Sequence, residues 1–167
     1  MTHDIVRSLL TIHLDLTPAD PGSIVPADME PVALAQSYTL DTTVATQSLV
    51  ANDLADPIGT AEWVRPEPTE KSWTVTSDQL VLRANATDGE FDATGKITNE
   101  QIFPILSNGD RVVVAIMDAG STAGDVIPFY GEAIITNYSQ NGTIDEYHTY
   151  SITLTGIGEL FDQLTIT

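Results

Sequence analysis

The sequence predicts a mainly β fold: a sandwich or barrel of about eight strands with one short α-helix flanking it and long loops. Three observations carry this expectation. Several stretches alternate apolar and polar residues with a period of two. An Asn-Gly dipeptide sits between two such stretches. A single segment has helical spacing with a start and a stop signal. Period-two alternation marks strands that face a core on one side. Asn-Gly marks a hairpin, because both residues tolerate positive φ.

Taken in order, Leu10, Ile12, Leu14 and Leu16 alternate with Thr11, His13, Asp15 and Thr17, which predicts a first strand. Residues 17–32 follow, punctuated by Pro18, Pro21, Pro26 and Pro31. Proline lacks the donor N–H, so this stretch reads as an extended arm outside any ladder. Tyr38, Leu40, Thr42 and Val44 alternate with Thr39, Asp41, Thr43 and Ala45 as a second strand. It leads to an extended loop at 51–59, with Asp53, Leu54, Asp56, Pro57 and Gly59. Pro66 and Pro68 make 63–71 read as a turn-rich connector. Trp73 and Val75 then oppose Ser72, Thr74 and Thr76 on a strand that Ser77-Asp78 interrupts, as a bulge would, before Leu80–Arg83.

Residues 85–97 read as a polar loop. The helix signal follows: Thr98 or Asn99 as cap, Glu100 in the first turn, Gly109 just past the end, and an apolar stripe of Ile102, Phe103 and Leu106. Pro104 limits its regularity. Val112–Met117 is continuously apolar, hence a strand buried on both faces. Val126–Tyr130 is a short strand. Residues 129–160, FYGEAIITNYSQNGTIDEYHTYSITLTGIGEL, form a long hairpin turning at Gln140–Thr143 around Asn141-Gly142. On its second arm Tyr150, Ile152 and Leu154 point one way, and Gly156 and Gly158 end it. LFDQLTIT closes the chain.

Composition narrows the function. A chain of 167 residues is expected to be one domain, 1–167. With 24 acidic against 6 basic residues, its formal net charge is −18. Such a surface has no footprint for releasing phosphate counterions, so it does not bind nucleic acid or anionic membranes. Without cysteine there is no disulfide frame and no thiolate chemistry. No secretion signal is evident in residues 1–16, and no apolar run reaches the ~18 residues of a membrane span.

Chemistry-bearing patterns are sparse. His3, His13 and His148 have no metal-ligand spacing, and the latter two read as half-buried structural residues on strands. No G-x-S-x-G elbow occurs. The G-x-G at Gly156–Gly158 has no following helix. Asp88, Glu90 and Asp92 begin like a calcium loop, but Ala93 stands where that loop needs glycine and Asn99 where it needs glutamate. The expectation is no enzyme, no metal and no cofactor. What remains is edge-rich β structure, a hazard for a monomer but useful where edges pair with identical neighbours.

Three motifs in fixed order sharpen this: K-S-W-x-V at Lys71, Trp73 and Val75; the helix running through Asn108-Gly109 into a buried strand; and Y-x-x-x-L-x-G-x-G at Tyr150, Leu154, Gly156 and Gly158. Over roughly 60–160 the chain resembles the major tail (tail-tube) proteins of long-tailed, non-contractile bacteriophages of the siphophage type. It resembles more distantly the tube protein of type VI secretion. The N-terminal third matches only in its strand-and-loop plan. The resemblance implies a virion protein that self-assembles into hexameric rings stacked as a tail tube. It implies a tape-measure protein and tail terminator and initiator proteins as partners, and duplex DNA passing through the lumen unbound. On this expectation the 38–64 excursion and the 129–160 hairpin build the inner sheet. Pro18, Pro21, Pro26, Asp53, Leu54, Asp56, Pro57, Asn141 and Gly142 are candidate assembly contacts. A carbohydrate-binding β-sandwich, with Trp63 and Trp73 as a stacking platform, is the alternative.

Overall fold

The computed structural model describes residues 10–18, 28–49, 65–81, 95–118, 126–142 and 148–165. Their strands are β1 (Leu10–Asp15), β2 (Glu30–Pro31), β3 (Ala35–Leu49), β4 (Arg65–Leu80), β5 (Arg111–Asp118), β6 (Val126–Asn141), β7 (Thr149–Gly156) and β8 (Phe161–Thr165), with helix α1 (Asn99–Asn108) between β4 and β5. All belong to an 8-stranded sheet of order β2-β1-β5-β6-β7-β4-β3, with β8 paired to β6. Every named strand pair is antiparallel.

The two ends of that order, β2 and β3, are neighbours in the chain, so the sheet is rolled. Residues 32–34 join them. The Val32 N–H donates to the Ile12 carbonyl at 3.0 Å, and the Leu80 N–H donates to the Leu34 carbonyl at 3.3 Å, tying the corner to β1 on one side and β4 on the other. Leu34 turns that corner with φ 52, a left-handed conformation that an apolar side chain rarely adopts. Thus the Pro-rich arm rejoins the sheet before it ends. Pro31 pairs with His13, and Met29 and Val32 are buried. Pro31 fits because β2 is a two-residue edge strand, where a missing donor costs little.

The interior face collects Ile12, Leu14, Val75, Val112, Val114, Ala133, Ile135, Tyr150, Ile152 and Leu154. Alternation on β7 is as expected, with Tyr150, Ile152 and Leu154 buried and the residues between them half-exposed. β5 is buried on both faces. Val113, Ala115 and Met117 form a second cluster with Met29 and Ile127.

The helix begins with a capping box: the Thr98 N–H donates to Gln101 Oε1 at 2.9 Å. It ends at Gly109, φ 70, whose N–H reaches the Ile105 carbonyl at 3.0 Å. Pro104 is accommodated inside it. The buried face is Ile102 with Ile105 and Leu106. Phe103 is instead 58% exposed, because it lies about 100° around the helix from Ile102.

Three local expectations change. β4 runs unbroken through Ser77-Asp78. The irregularity falls on β3, where Gln36 is the extra residue between the Ala35–Gln79 and Ser37–Asp78 pairs. Residues 65–71 are strand rather than connector, pairing with β3 from Leu49 back to Val44. Pro66 and Pro68 are tolerated because this part of β4 has β3 on one side only and no described strand on the other. Asn141 does not turn. It ends β6 paired with Thr149, and Gly142 has no positive φ, so the connection is longer than two residues.

A bulge on β6 explains its face pattern. Ile135 pairs with Leu154 and Asn137 with Thr153, leaving Thr136 extra. One added residue switches the inward parity, so Tyr138 rather than Asn137 faces the interior and stacks on Tyr150 at 5.5 Å.

Trp73 is the centre of the packing. Its ring lies across β6 and β7 where both carry glycine. A Cβ on Gly131 would sit 2.6 Å from Trp73 Cζ2, and one on Gly156 would run into the indole. Trp73 Nε1 donates to the Gly158 carbonyl at 2.9 Å. Gly156→Ala is therefore expected to destabilise the fold by about 3 kcal/mol or prevent folding, since the obstacle is a rigid ring. Urea unfolding followed by tryptophan fluorescence measures it, and wild-type stability would contradict the packing described.

Candidate assembly surface

The surface is built from backbone left open by the sheet. β4 pairs with β7 only over Thr74–Leu80, whereas β3 and β4 pair along their full lengths. Residues 43–49 and 65–72 therefore leave the body as a two-stranded arm. At ~3.4 Å per residue it extends roughly 30 Å. Residues 41–47 are exposed, Val44 by 51%. Thr69 is an extra residue opposite Ala45–Thr46, and its hydroxyl donates to the Ala45 carbonyl at 3.1 Å. That bulge adds local twist to the arm. An isolated two-stranded ribbon is marginal in water, so its order calls for a further contact.

Among the described residues two open edges could serve a neighbouring copy, besides the outer edge of β8 and the 65–73 edge of β4. β3 pairs with β4 only, leaving its outer edge free. β5 stops at the Arg111–Ile134 pair, so residues 135–141 of β6 have β7 on one side and no described strand on the other. Counted through β6, β7, β4 and β3, strand direction alternates, so the two edges run in opposite senses. A copy placed beside another presents β3 to β6 as an antiparallel pair.

The sheet face away from the core is hydroxyl-rich across β3, β4 and β7: Thr39, Thr43, Thr74, Thr76, Ser151 and Thr153. On those three strands its charges are Asp41, Glu70 and Asp78, with no Lys or Arg among their described side chains on that face; on β5 and β6 the same face carries Arg111 paired with Glu132 at 3.1 Å. Ser37 donates to Asp78 at 3.1 Å, and Thr136 and Thr155 hydroxyls are 3.0 Å apart. The described residues hold no cluster of metal-ligating groups, and no helix is long and apolar enough to cross a membrane.

Of the expected contacts, Pro18 is half-exposed just beyond β1. Asn141 and Gly142 are exposed at the end of the β6–β7 hairpin, and Gly142 is packed under the His148 imidazole. That end lines up with Leu80, through Thr149, so it is opposite to the end from which the arm leaves. Pro21, Pro26, Asp53, Leu54, Asp56 and Pro57 lie outside the described residues, as does the acidic 88–92 stretch. Among the motif residues, Trp73, Gly156 and Gly158 are brought together, and Val75, Tyr150 and Leu154 lie in the same core. Gly109 ends the helix, and Lys71 is exposed on the arm. Trp73 is 4% exposed, so it offers no platform for a sugar. The free edge at 135–141 was not foreseen from sequence. Its signal is the length mismatch between β5 and β6.

Comparison with solved structures gives the fold a context. Over 93% of its length the chain matches the tail of an empty gene transfer agent particle refined with C6 symmetry, covering 96% of that chain with TM-score 0.64 and 15% identity. A protein in the virion of the native gene transfer agent particle matches over 93% of this chain and 95% of its own, with TM-score 0.61 and 14% identity. The chain has the tail-tube fold. The SPP1 tail tube matches over 93% of this chain and 77% of its own, with TM-score 0.60 and 14% identity. No family model and no curated protein matches the sequence.

His13 bears on how the body holds under acid. It is 3% exposed, and burial lowers its pKa from 6.5 despite the Thr11 carbonyl and the Asp118 charge, which raise it. The unfolded chain thus takes up a proton more readily. Stability is full above pH ~6.5 and declines as pH falls below that value through the lowered folded pKa. His13→Gln is expected to flatten the slope below about pH 6.5. Thermal melts across that range check it, and an unchanged slope would contradict the assignment.

Proposed function

We propose that this chain is the subunit of a virion tail tube. Copies join side by side into rings, and rings stack into a conduit through which duplex DNA passes. The observation that carries the reading is the pair of complementary open edges, β3 and residues 135–141 of β6, on a sheet with the tail-tube fold. Repeating β6-β7-β4-β3 around an axis joins these two edges and leaves less open backbone for stray aggregation. Six copies per ring accord with the C6 symmetry of the gene transfer agent tail.

In such a ring the helix lies on the core side of the sheet, outside the tube. The hydroxyl and carboxylate face lines the lumen. DNA carries one charge per ~1.7 Å, and a basic lining would hold it by counterion release. Asp41, Glu70 and Asp78 repel it instead. The arm and the Asn141–Gly142 end point oppositely along the strands, so an arm can reach the next ring. Pro18, Pro21, Pro26, Asp53, Leu54, Asp56 and Pro57 are proposed as further contacts there. A tape-measure protein inside the tube and terminator and initiator proteins at its ends complete the proposed partners.

Purified protein is expected to form rings or tubes in negative-stain micrographs. More should form as salt screens the net charge of −18. A monomer at every salt concentration would overturn the proposal. Deleting residues 51–58 should leave a folded subunit that builds no tubes, and wild-type tube length in that variant would reject the inter-ring role of the arm.

A further inference from the structure

Two exposed features on the core side of the sheet are unexplained by edge pairing alone. The first is on the arm. Val44 and Lys71 are cross-strand partners on the face that carries Tyr38, Leu40, Trp73 and Val75. Beyond Trp73 that face has left the core, so Val44 is 51% exposed and Lys71 is exposed too. Lys71 is one of 6 basic residues in the chain, and among the described residues it makes no ion pair. The second feature is on α1. Phe103, 58% exposed, stands edge-on to Tyr138 at 6.0 Å, which places it beside the free edge of β6. Glu100 is exposed three residues earlier, on the same flank of the helix.

We propose that α1 clasps the arm of the neighbouring copy, with Phe103 packed on Val44 and Glu100 paired with Lys71. The inference rests on the ring reading above and names the side chains that select the partner. When residues 41–47 of β3 in one copy lie along residues 135–141 of β6 in the next, a stagger of about six residues from the row that holds Tyr38 and Tyr138, of the kind ring closure of a tilted sheet requires, both features fall on the same sheet face and flank the new seam. The apolar group meets an apolar group, and the cation meets a carboxylate. The match matters because the net charge interaction between identical subunits at −18 is repulsive. A local opposite-charge pair beside a buried apolar contact fixes register and hand where backbone pairing alone tolerates slippage.

The test uses the full chain and charge reversal. Glu100→Lys makes the subunit less negative, so relief of general repulsion would improve assembly; the clasp instead requires assembly to worsen. At least a tenfold higher protein concentration should be needed for rings, read by light scattering and micrographs. Lys71→Glu and Phe103→Ser should do the same. The double variant Lys71→Glu/Glu100→Lys keeps the wild-type charge and should recover assembly, and a mixture of the two single variants should co-assemble. Unfolding midpoints of the unassembled single variants show whether the subunit itself is intact; a variant that loses its fold is replaced by Val44→Ser, read in the same way. Because the chain has no cysteine, Val44→Cys and Phe103→Cys subunits can be mixed with a short bis-maleimide and should yield cross-linked pairs only after assembly. Rings that form equally well from Glu100→Lys, or give no cross-link, overturn the clasp and leave the ring reading standing. If wild type forms no rings, both fall.

Discussion

The body of this protein depends on one indole lying over two glycines. Trp73 sits where β4 leaves the sheet, and its ring occupies the space that Cβ atoms at Gly131 and Gly156 would need. The contact joins β4 to β6 and β7 across the interior face, and the bond to the Gly158 carbonyl fixes the chain after β7. It also marks a boundary. On the Val75 side, β4 has neighbours on both edges and its inward residues are buried. On the Lys71 side it has only β3, and the arm stands in solvent. A large rigid side chain at this junction lets a ribbon of roughly 30 Å be anchored at its base without a core beneath it.

Buried polar groups around this core are few. Ser77 and Gln79 are buried on β4, and Gln79 oriented with its nitrogen toward the Tyr150 carbonyl at 3.2 Å lets its oxygen accept from the Ser77 hydroxyl. Tyr150 is held protonated, its pKa raised well above the usual phenol value by burial and then by Tyr138. Burial raises Tyr138 likewise. These rings serve as apolar mass. From Tyr150 through Tyr138 to Phe103 they carry the core outward to the helix surface, ending at the free edge of β6.

Much of the fold was legible in the sequence, for identifiable reasons. β1, β5, β7 and the inward face of β4 were readable because each has a period set by one or two buried faces. The helix ends were readable because caps are local chemistry. The failures share a cause: tertiary pairing outweighed local signals. Pro66 and Pro68 suggested a connector, yet a strand open on one edge tolerates them. Asn141-Gly142 suggested a tight turn, yet the pairing of Tyr138 and Gln140 with Ile152 and Tyr150 carried β6 past it. The bulges at Gln36 and Thr136 left no sequence mark, and the second decides which residues face inward. The Trp73, Gly156 and Gly158 motif could be seen in sequence, but not that its members touch across 85 residues. The open edges were invisible because an edge is defined by what fails to pair.

If copies assemble as proposed, charge and edges together set how separate copies meet. Open β edges attract any extended chain, which favours disordered aggregation. A net charge of −18 opposes approach from all directions and so holds separate copies apart. Repulsion of that kind falls off within a Debye length and is strongest between broad acidic faces. The edges themselves are neutral backbone. An approach that sets β3 along β6 adds hydrogen bonds in a row while keeping the carboxylate faces side by side rather than opposed. An approach face to face adds no bonds and brings Asp41, Glu70 and Asp78 against their own copies. In the proposed tube, the acidity that would keep the lumen from holding a polyanion would therefore also select, among possible encounters of two copies, the lateral one that closes a ring.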